Sequence, residues 1–260
     1  MVKHTQNKSE NEVPTNRIGL LSDVGKKREI DEDSILAIEC LSAFESKESR
    51  KFVLVLADGM GGHAKGELAS KIAVTTIAEN LIANTLLQNN YASEIKKAIQ
   101  EANQKLVQYS IDNSNAEGMG STMVCAVVDG NNIHLGNVGD SRAYLISKDE
   151  IRQITKDHSY VQELIDKGEI TPEEAISHPK KNVITRALGI YGEIEIDTMK
   201  LTKADDEILL LCCDGLIIHV NDKEIKDIVT SENPQDACKK LVDLANKRGG
   251  KDNISVVILH

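Results

Sequence analysis

The chain has 260 residues, 40% of them hydrophobic, which suffices for one large core or two small ones. Asp and Glu (41) outnumber Lys and Arg (31), so the formal net charge is −10 at pH 7. Nucleic acid is therefore an unfavoured partner, because phosphate contacts need a basic surface. No polar linker divides the chain, so we expect a single domain.

The cysteines and the first residues indicate a cytoplasmic protein. The five cysteines form no CxxC pair, and thiols on apolar stretches are typical of buried side chains in a reducing compartment. None is followed six positions later by arginine, which excludes the CxxxxxR loop of thiolate phosphatases. Residues 1–16 are polar and lack the apolar region of a signal peptide, so we predict a flexible tail there. No apolar run reaches membrane-spanning length.

The apolar pattern predicts the elements of the first half in chain order. Strands are expected at 17–24, 34–40 and 52–57, and helices at 66–87 and around 95–109. Three short strands follow, at 121–128, 132–137 and 142–147. The sequence DGNN between the first two of these is typical of a hairpin turn.

Residues 157–190 have a different character, being polar and biased towards short helices. Thr171-Pro172-Glu173-Glu174 is a capping box with proline at the first helical position, and His178-Pro179 ends that helix. We interpret this segment as a flap outside the sheets. Beyond it we expect strands at 193–200, 207–213 and 254–259, and a helix from Asn233-Pro234 to Gly249-Gly250. Two successive helices between strands argue against a βαβ repeat and favour an α+β fold, with packed sheets and helices outside.

Five aspartates lie at or between the ends of predicted strands, at positions 33, 58, 140, 214 and 252. If the strand ends converge, these carboxylates repel one another, and divalent cations are the natural remedy. Ligand sets made only of oxygen favour Mg²⁺ or Mn²⁺ over zinc. Each site also has a simpler interpretation: Asp-Gly is a frequent turn pair, and the charged run from Arg28 to Asp33 is typical of a solvated loop.

The glycine-rich segment after Asp58 has a rival interpretation. Residues 59–64 (GMGGHA) match the dinucleotide-binding pattern GxGxxA after a strand. That interpretation is weakened because the following helix runs into a second helix instead of a parallel strand. No Walker A motif and no GxSxG elbow is present. A pure binding module also remains open.

Eight segments, taken together and in order, resemble the metal-dependent protein phosphatases of the PPM (type 2C) family in their bacterial serine/threonine form. They are SDVGKKREIDEDS, LADGMGGHAKGELAS, GSTMV, GNVGDSRAYL, KDHSYVQELIDKGEIT, NVITRALG, LLLCCDGL and ANKRGGKDNISVVIL. The resemblance runs from about Arg17 to the C-terminus. It implies an αββα sandwich of two antiparallel β-sheets flanked by helix pairs, with the flap over 157–190 and metals at one end.

The resemblance also implies a set of metal ligands. Asp58 would bridge two ions, and the Gly59 carbonyl would bind one of them. Asp214 and Asp252 would hold the first ion, and Glu32 would act on the second through a water. Asp140, together with Asp214, would bind a third ion.

Three further residues acquire roles from the same resemblance. Asp33 would orient the metal-bound water and Arg28 would grip the substrate phosphate, a role that suits its fork of donors. His63 is either the general acid for the leaving group or a structural hydrogen-bonding residue. Three positions depart from the family pattern: Asp31 stands where Asn is common, Cys213 replaces a serine, and Ile218 stands where a polar residue is common. We hypothesise that Cys213 makes the site sensitive to oxidation.

The expected activity is that of a phosphoserine/phosphothreonine protein phosphatase. Two Mn²⁺ or Mg²⁺ ions lower the pKa of a water between them, and this water attacks phosphorus without a phosphoenzyme. We expect a cytoplasmic monomer without a membrane segment, acting on phosphoproteins made by a Ser/Thr kinase. The alternative is a non-catalytic metal- or nucleotide-binding regulator on the same fold.

Overall fold

Eleven strands and seven α-helices make up the fold in the computed structural model, which describes residues 17–61, 65–85 and 90–260. The strands are β1 Ile18–Asp23, β2 Asp33–Phe44, β3 Lys47–Met60, β4 Gly120–Ser121, β5 Met123–Asp129, β6 Asn132–Val138, β7 Arg142–Ile146, β8 Ile151–Gln153, β9 Asp197–Thr202, β10 Ile208–Cys212 and β11 Ile254–Leu259. The helices are α1 Gly66–Thr85, α2 Tyr91–Asp112, α3 Tyr160–Asp166, α4 Pro172–Ser177, α5 Asp214–Ile217, α6 Asp222–Val229 and α7 Pro234–Lys247. A single 3₁₀ turn spans Ser114–Ala116 within this described part.

The strands form two antiparallel sheets. One sheet has the order β1-β11-β10-β7-β8, and the other has the order β2-β3-β5-β6-β9. Strand β4 pairs with the end of β3 that extends beyond β5. Neighbouring strands such as β10 and β11 come from distant parts of the chain, so the ends of one sheet collect residues that are far apart in sequence.

Three apolar layers explain why these strands are apolar on both faces. The side chains of β3 alternate, so that Leu54 and Leu56 face the other sheet while Val53 and Val55 pack against α1 and α2. The sheet that contains β10 and β11 is covered in the same way by α5, α6 and α7. The result is an αββα sandwich, as expected from the sequence.

Several boundaries differ from the sequence-based expectation. Strands β2 and β3 form a longer hairpin than predicted, because their ladder continues through the polar residues 41–51 to a turn at Glu45 and Ser46, both with positive φ. The expected strand at 193–200 begins only at Asp197. Strand β8 and helices α5 and α6 were not predicted. The last two residues of the expected helix at 66–87 lie outside the described residues.

Residues 157–190 lie between β8 and β9 and include α3 and α4. The capping box at Thr171 is present, with the Glu174 side chain returning to the Thr171 N–H, and Ser159 caps α3. Two isolated bridges, Ser159 with Ile184 and Ser121 with Leu188, are its β-contacts among the described residues. None of the described helices is both long and apolar enough to cross a lipid bilayer.

Candidate metal centre

Asp33 and Asp58 face each other at the end of the β2–β3 ladder, where they are register partners. The Asp33 side chain is buried, and neither of its carboxylate oxygens has a hydrogen-bond partner among the described residues. Burial raises the pKa of Asp33 to about 7, although the nearby Ser255 hydroxyl and Cys213 thiol act to lower it. A buried carboxylate with so little compensation either keeps a proton or needs a cation, so these two oxygens indicate a cation site.

The opposite sheet contributes Asp214 and Asp252. Asp214 begins α5 directly after β10, and Asp252 lies just before the adjacent strand β11. Burial and then the charge of Asp252 raise the pKa of Asp214 to about 6. The pKa of Asp58 is raised well above its usual range, first by burial and then by the four neighbouring acids Asp33, Asp214, Asp140 and Asp252. The acids predicted at strand ends therefore do meet in one place.

Asp140 reaches the same place from the loop between β6 and β7. Burial and then the charge of Asp214 raise the pKa of Asp140 to about 7. Ser141 shares a 2.7 Å hydrogen bond with the Thr122 hydroxyl, which also accepts from the Asp58 N–H at 3.0 Å. These contacts fix the Asp140 loop relative to the end of β3.

Arg28 and Glu32 lie at the rim of the acid cluster. Arg28 Nη2 donates to Asp252 Oδ2 at 2.9 Å, and Arg28 Nη1 lies 3.6 Å from Glu32 Oε2. The Arg28 side chain is 47% exposed, so its guanidinium can reach solvent and a ligand from solvent. Burial raises the pKa of Glu32, which Arg28 partly offsets.

Gly59 lies where three backbone segments meet. A Cβ at this position would lie 2.1 Å from the Gly66 carbonyl oxygen and 2.5 Å from the Glu32 carbonyl oxygen. The Gly59 N–H donates to that Glu32 oxygen at 3.0 Å. The absence of a side chain at Gly59 is thus required by the packing of the chain.

Asn253 holds the loop that carries Arg28 and Glu32, and no local sequence pattern marks it as important. Its Oδ1 accepts from the Glu32 N–H at 2.9 Å, and its Nδ2 donates to the carbonyls of Val24 and Ile30, both at 3.0 Å. A buried Asn whose side-chain hydrogen bonds all go to the backbone holds separate chain segments together. Thr122, which accepts from the Asp58 N–H, is a second such residue that the sequence analysis missed.

Two of the three departures from the family pattern, Asp31 and Cys213, lie beside Asp33. Asp31 accepts from the Asp33 N–H at 3.1 Å and from the Ser22 hydroxyl, so it turns the chain into β2. The Cys213 sulfur lies within 4.8 Å of carboxylate oxygens of Asp33 and Asp58. Cys213 is fully buried, and burial raises the pKa of its thiol well above the usual range. Those properties argue against an easily oxidised thiol. His63 lies outside the described residues.

The donor set fits hard divalent cations. Carboxylate oxygens dominate, and they are buried. Among the described residues, Arg28 and Arg142 relieve their mutual repulsion only in part. Asp33, Asp58, Asp214, Asp252 and Asp140 can reach such ions directly or through water.

Comparisons with known proteins agree with this geometry. The family model described as protein phosphatase 2C matches residues 22–164 and 177–254. A serine/threonine phosphatase stp of Listeria welshimeri is 40% identical over 219 residues, covering 83% of this chain and 86% of the relative. Protein phosphatase PhpP of Streptococcus pneumoniae is 39% identical over 248 residues, covering 93% of this chain and 96% of PhpP.

Solved structures show the same fold. The crystal structure of the Mycobacterium tuberculosis serine/threonine phosphatase PstP/Ppp has a TM-score of 0.81 at 34% identity, covering 93% of this chain and 97% of that one. A PstP catalytic domain in complex with two manganese ions has a TM-score of 0.80 at 33% identity, covering 93% and 96%. With sequence, fold and acid cluster in agreement, the chain belongs to the protein phosphatase 2C family.

Proposed function

We propose that the chain is a serine/threonine protein phosphatase whose acid cluster holds two Mn²⁺ or Mg²⁺ ions. The observation that carries the proposal is the buried Asp33 carboxylate, which lies opposite Asp58 and whose oxygens accept no hydrogen bond from the described residues. Family membership and relatives described as serine/threonine phosphatases support the activity. The two manganese ions in the related PstP domain support the number of ions.

Each acid has a proposed place in the centre. Asp58 would hold both ions, and the Gly59 carbonyl would help to hold one of them. Asp214 and Asp252 would hold the first ion, and Glu32 would act on the second through water. The pKa elevation that each of Asp58, Asp214 and Glu32 undergoes supports this assignment, because it reflects carboxylates that are buried or crowded and that nearby arginines compensate only in part. Asp140, with Asp214, binds a third ion.

The ions, when bound, supply an activated water for direct attack on phosphorus, so no phosphoenzyme is required. Asp33 orients this water, because both of its oxygens are free to accept hydrogen bonds. Arg28 binds the phosphate of the substrate with its fork of N–H groups, and Asp252 holds the guanidinium in place beforehand. His63 stays a candidate for the general acid that protonates the leaving serine or threonine oxygen.

The wider organisation is also part of the proposal. Residues 17–260 are the phosphatase domain, residues 1–16 precede it as a tail, and residues 157–190 act as the flap. The protein is proposed to work as a monomer in the cytoplasm on phosphoproteins made by a Ser/Thr kinase. The net charge of −10 is in accord with protein substrates instead of nucleic acid.

Hydrolysis of a phosphothreonine peptide by the full chain, with and without Mn²⁺, tests this function. We expect turnover only with the metal. Asp58→Asn and Asp214→Asn each lower kcat about a thousandfold or more, because a bound ion contributes several kcal/mol to the transition state. Asp243→Asn on the exposed side of α7 is the matched control and retains the wild-type rate. Near wild-type rates in both site variants would refute the assignment, and Mn²⁺ binding without turnover would favour the non-catalytic regulator.

A further inference from the structure

The residue before Asp140 is clamped by His158. The Gly139 N–H donates to His158 Nδ1 at 3.0 Å, and the Gly139 carbonyl accepts from the His158 N–H at 2.9 Å. Both polar groups of one peptide residue are thus committed to the same partner. His158 is buried, with 6% of its surface exposed, so the contact is sheltered from water.

The two bonds determine the state of the imidazole ring. Because a backbone N–H only donates, Nδ1 must accept, and the ring proton of neutral His158 lies on Nε2. Nε2 lies 3.2 Å from Asp197 Oδ2, which accepts that proton in a hydrogen bond. Arg186 Nη1 donates to the other Asp197 oxygen at 3.0 Å, so Asp197 is itself held by the flap segment 157–190. Burial lowers the pKa of His158, which favours the neutral ring.

The rest of the Asp140 loop, residues 139–142, is held by the same stretch of chain. Asp157 binds Arg142 through both carboxylate oxygens, with Nη2–Oδ2 at 2.7 Å. Gly139 has a φ of +109°, and a Cβ there would lie 2.6 Å from Thr122 Cβ. The contacts of this loop with Thr122, His158 and Asp157 therefore determine its position and the direction of the Asp140 side chain.

We propose that His158 is a positioning residue for Asp140. Its Nδ1 accepts a hydrogen bond that fixes the orientation of the peptide group before Asp140. Its Nε2 contacts Asp197, which the flap segment also holds. The inference rests on the proposed function, in which Asp140 is the ligand of the third ion. Residues that orient metal ligands typically change metal affinity by about 10- to 100-fold when they are replaced.

Two amide substitutions separate the two ring nitrogens. In His158→Asn the side-chain oxygen can replace Nδ1 as the acceptor for Gly139, whereas in His158→Gln the amide group replaces Nε2 and leaves Gly139 without its partner. Titration of the metal-free full chain with Mn²⁺, followed by the EPR signal of free Mn²⁺, gives the affinity of the weakest site. We expect that affinity to fall about tenfold in His158→Gln. In His158→Asn, which keeps the acceptor for Gly139 but loses the contact with Asp197, it should fall by a smaller factor, similar to that in Asp197→Ala. Asp140→Ala should weaken the same site, and adding His158→Gln to it should change nothing more.

Controls keep the outcomes distinct. His178→Gln removes another histidine that accepts a backbone N–H, that of Lys180 at 3.1 Å in the flap, and should leave Mn²⁺ binding unchanged. If His158→Gln does not fold, Asp197→Ala replaces it, because Asp197 is 41% exposed, and a weakened third site is again expected. Weakening in Asp140→Ala but in neither His158→Gln nor Asp197→Ala overturns the positioning role alone. An unchanged weak site in Asp140→Ala overturns the third-ion assignment and this inference with it, while the two-ion proposal stands.

Discussion

At the scale of single residues, the acid cluster depends on which charges are compensated. Asp33 has no donor on either oxygen among the described residues, whereas Asp252 accepts from Arg28. A carboxylate that already has an arginine partner loses less when its metal is absent than one that has none. Asp33 and Asp58 are therefore the residues at which the need for a cation is greatest.

Arg28 links this cluster to the substrate. Its guanidinium is half exposed and already oriented by Asp252, which suits a group that binds phosphate in both the ground state and the transition state. Interactions of that kind lower KM more than they raise kcat. Because Arg28 lies at the rim and not among the buried acids, we expect it to contribute to substrate binding more than to the chemical step.

Arg28→Ala is expected to raise KM for a phosphothreonine peptide about 10- to 100-fold, since a hydrogen bond to a charged group contributes about 1.5–3 kcal/mol. The kcat at saturating Mn²⁺ should change by a smaller factor. Steady-state kinetics measure both constants, and Arg152→Ala on the exposed side of β8 serves as the control arginine. A fall in kcat at unchanged KM would show that Arg28 acts only in the transition state.

At the scale of elements, the sequence allowed the ends of strands to be predicted better than the contacts between them. Asp58, Asp214 and Asp252 are each next to an aliphatic run, so their placement follows from local pattern. The residues that hold them do not have such a pattern. Glu32 and Asn253 are separated by 221 positions, and Asp58 and Thr122 by 64, so only the folded sheets bring them together.

The missed elements have equally specific causes. Helix α6 carries a capping box between Asn221 and Glu224, which is legible in the sequence, but its eight residues are too few for a clear apolar period. Strand β8 has three residues, and the outer half of the β2–β3 hairpin is polar because little covers it. Elements that are short or lie outside the packed layers lack the periodic pattern of apolar residues that buried elements have.

Asn253→Ala tests how far β11 supports the loop of residues 24–32. The substitution removes three hydrogen bonds and leaves the Glu32 N–H and two carbonyls without partners. We expect the free energy of unfolding in urea to fall by about 3 kcal/mol. Mn²⁺ affinity should fall as well, because the loop carries Glu32. Asn131→Ala, which removes one exposed hydrogen bond to Asp205, should cost less than about 0.5 kcal/mol. Equal stability of the two variants would show that the loop does not depend on the Asn253 side chain.

At the scale of the whole molecule, metal-free folding must bury acids that repel one another. An acid whose pKa is raised on folding keeps a proton that the unfolded chain has already lost, so stability falls as pH rises towards the folded-state pKa. The pKa of Asp33 and that of Asp140 rise to about 7, and the pKa of Asp58 rises further. Buried histidines act in the opposite direction, because burial lowers the pKa of His158 and of His134, but that contribution levels off within about one pH unit above the usual histidine value of about 6.5.

Between about pH 6.5 and 8 the acids therefore dominate the pH dependence, and the metal-free chain should lose about 2 kcal/mol of stability across this range. For a chain of this size the loss corresponds to a fall in Tm of about 4–8 °C, measured by circular dichroism in the presence of a chelator.

Saturating Mn²⁺ should raise Tm and flatten the dependence of Tm on pH, because the ions favour the charged form of every acid in the cluster. Asp58→Asn, with one charge fewer, should flatten it without metal, whereas Asp243→Asn should follow the wild type. A metal-free Tm that is constant or rises over this range would mean that the five acids do not share one desolvated site.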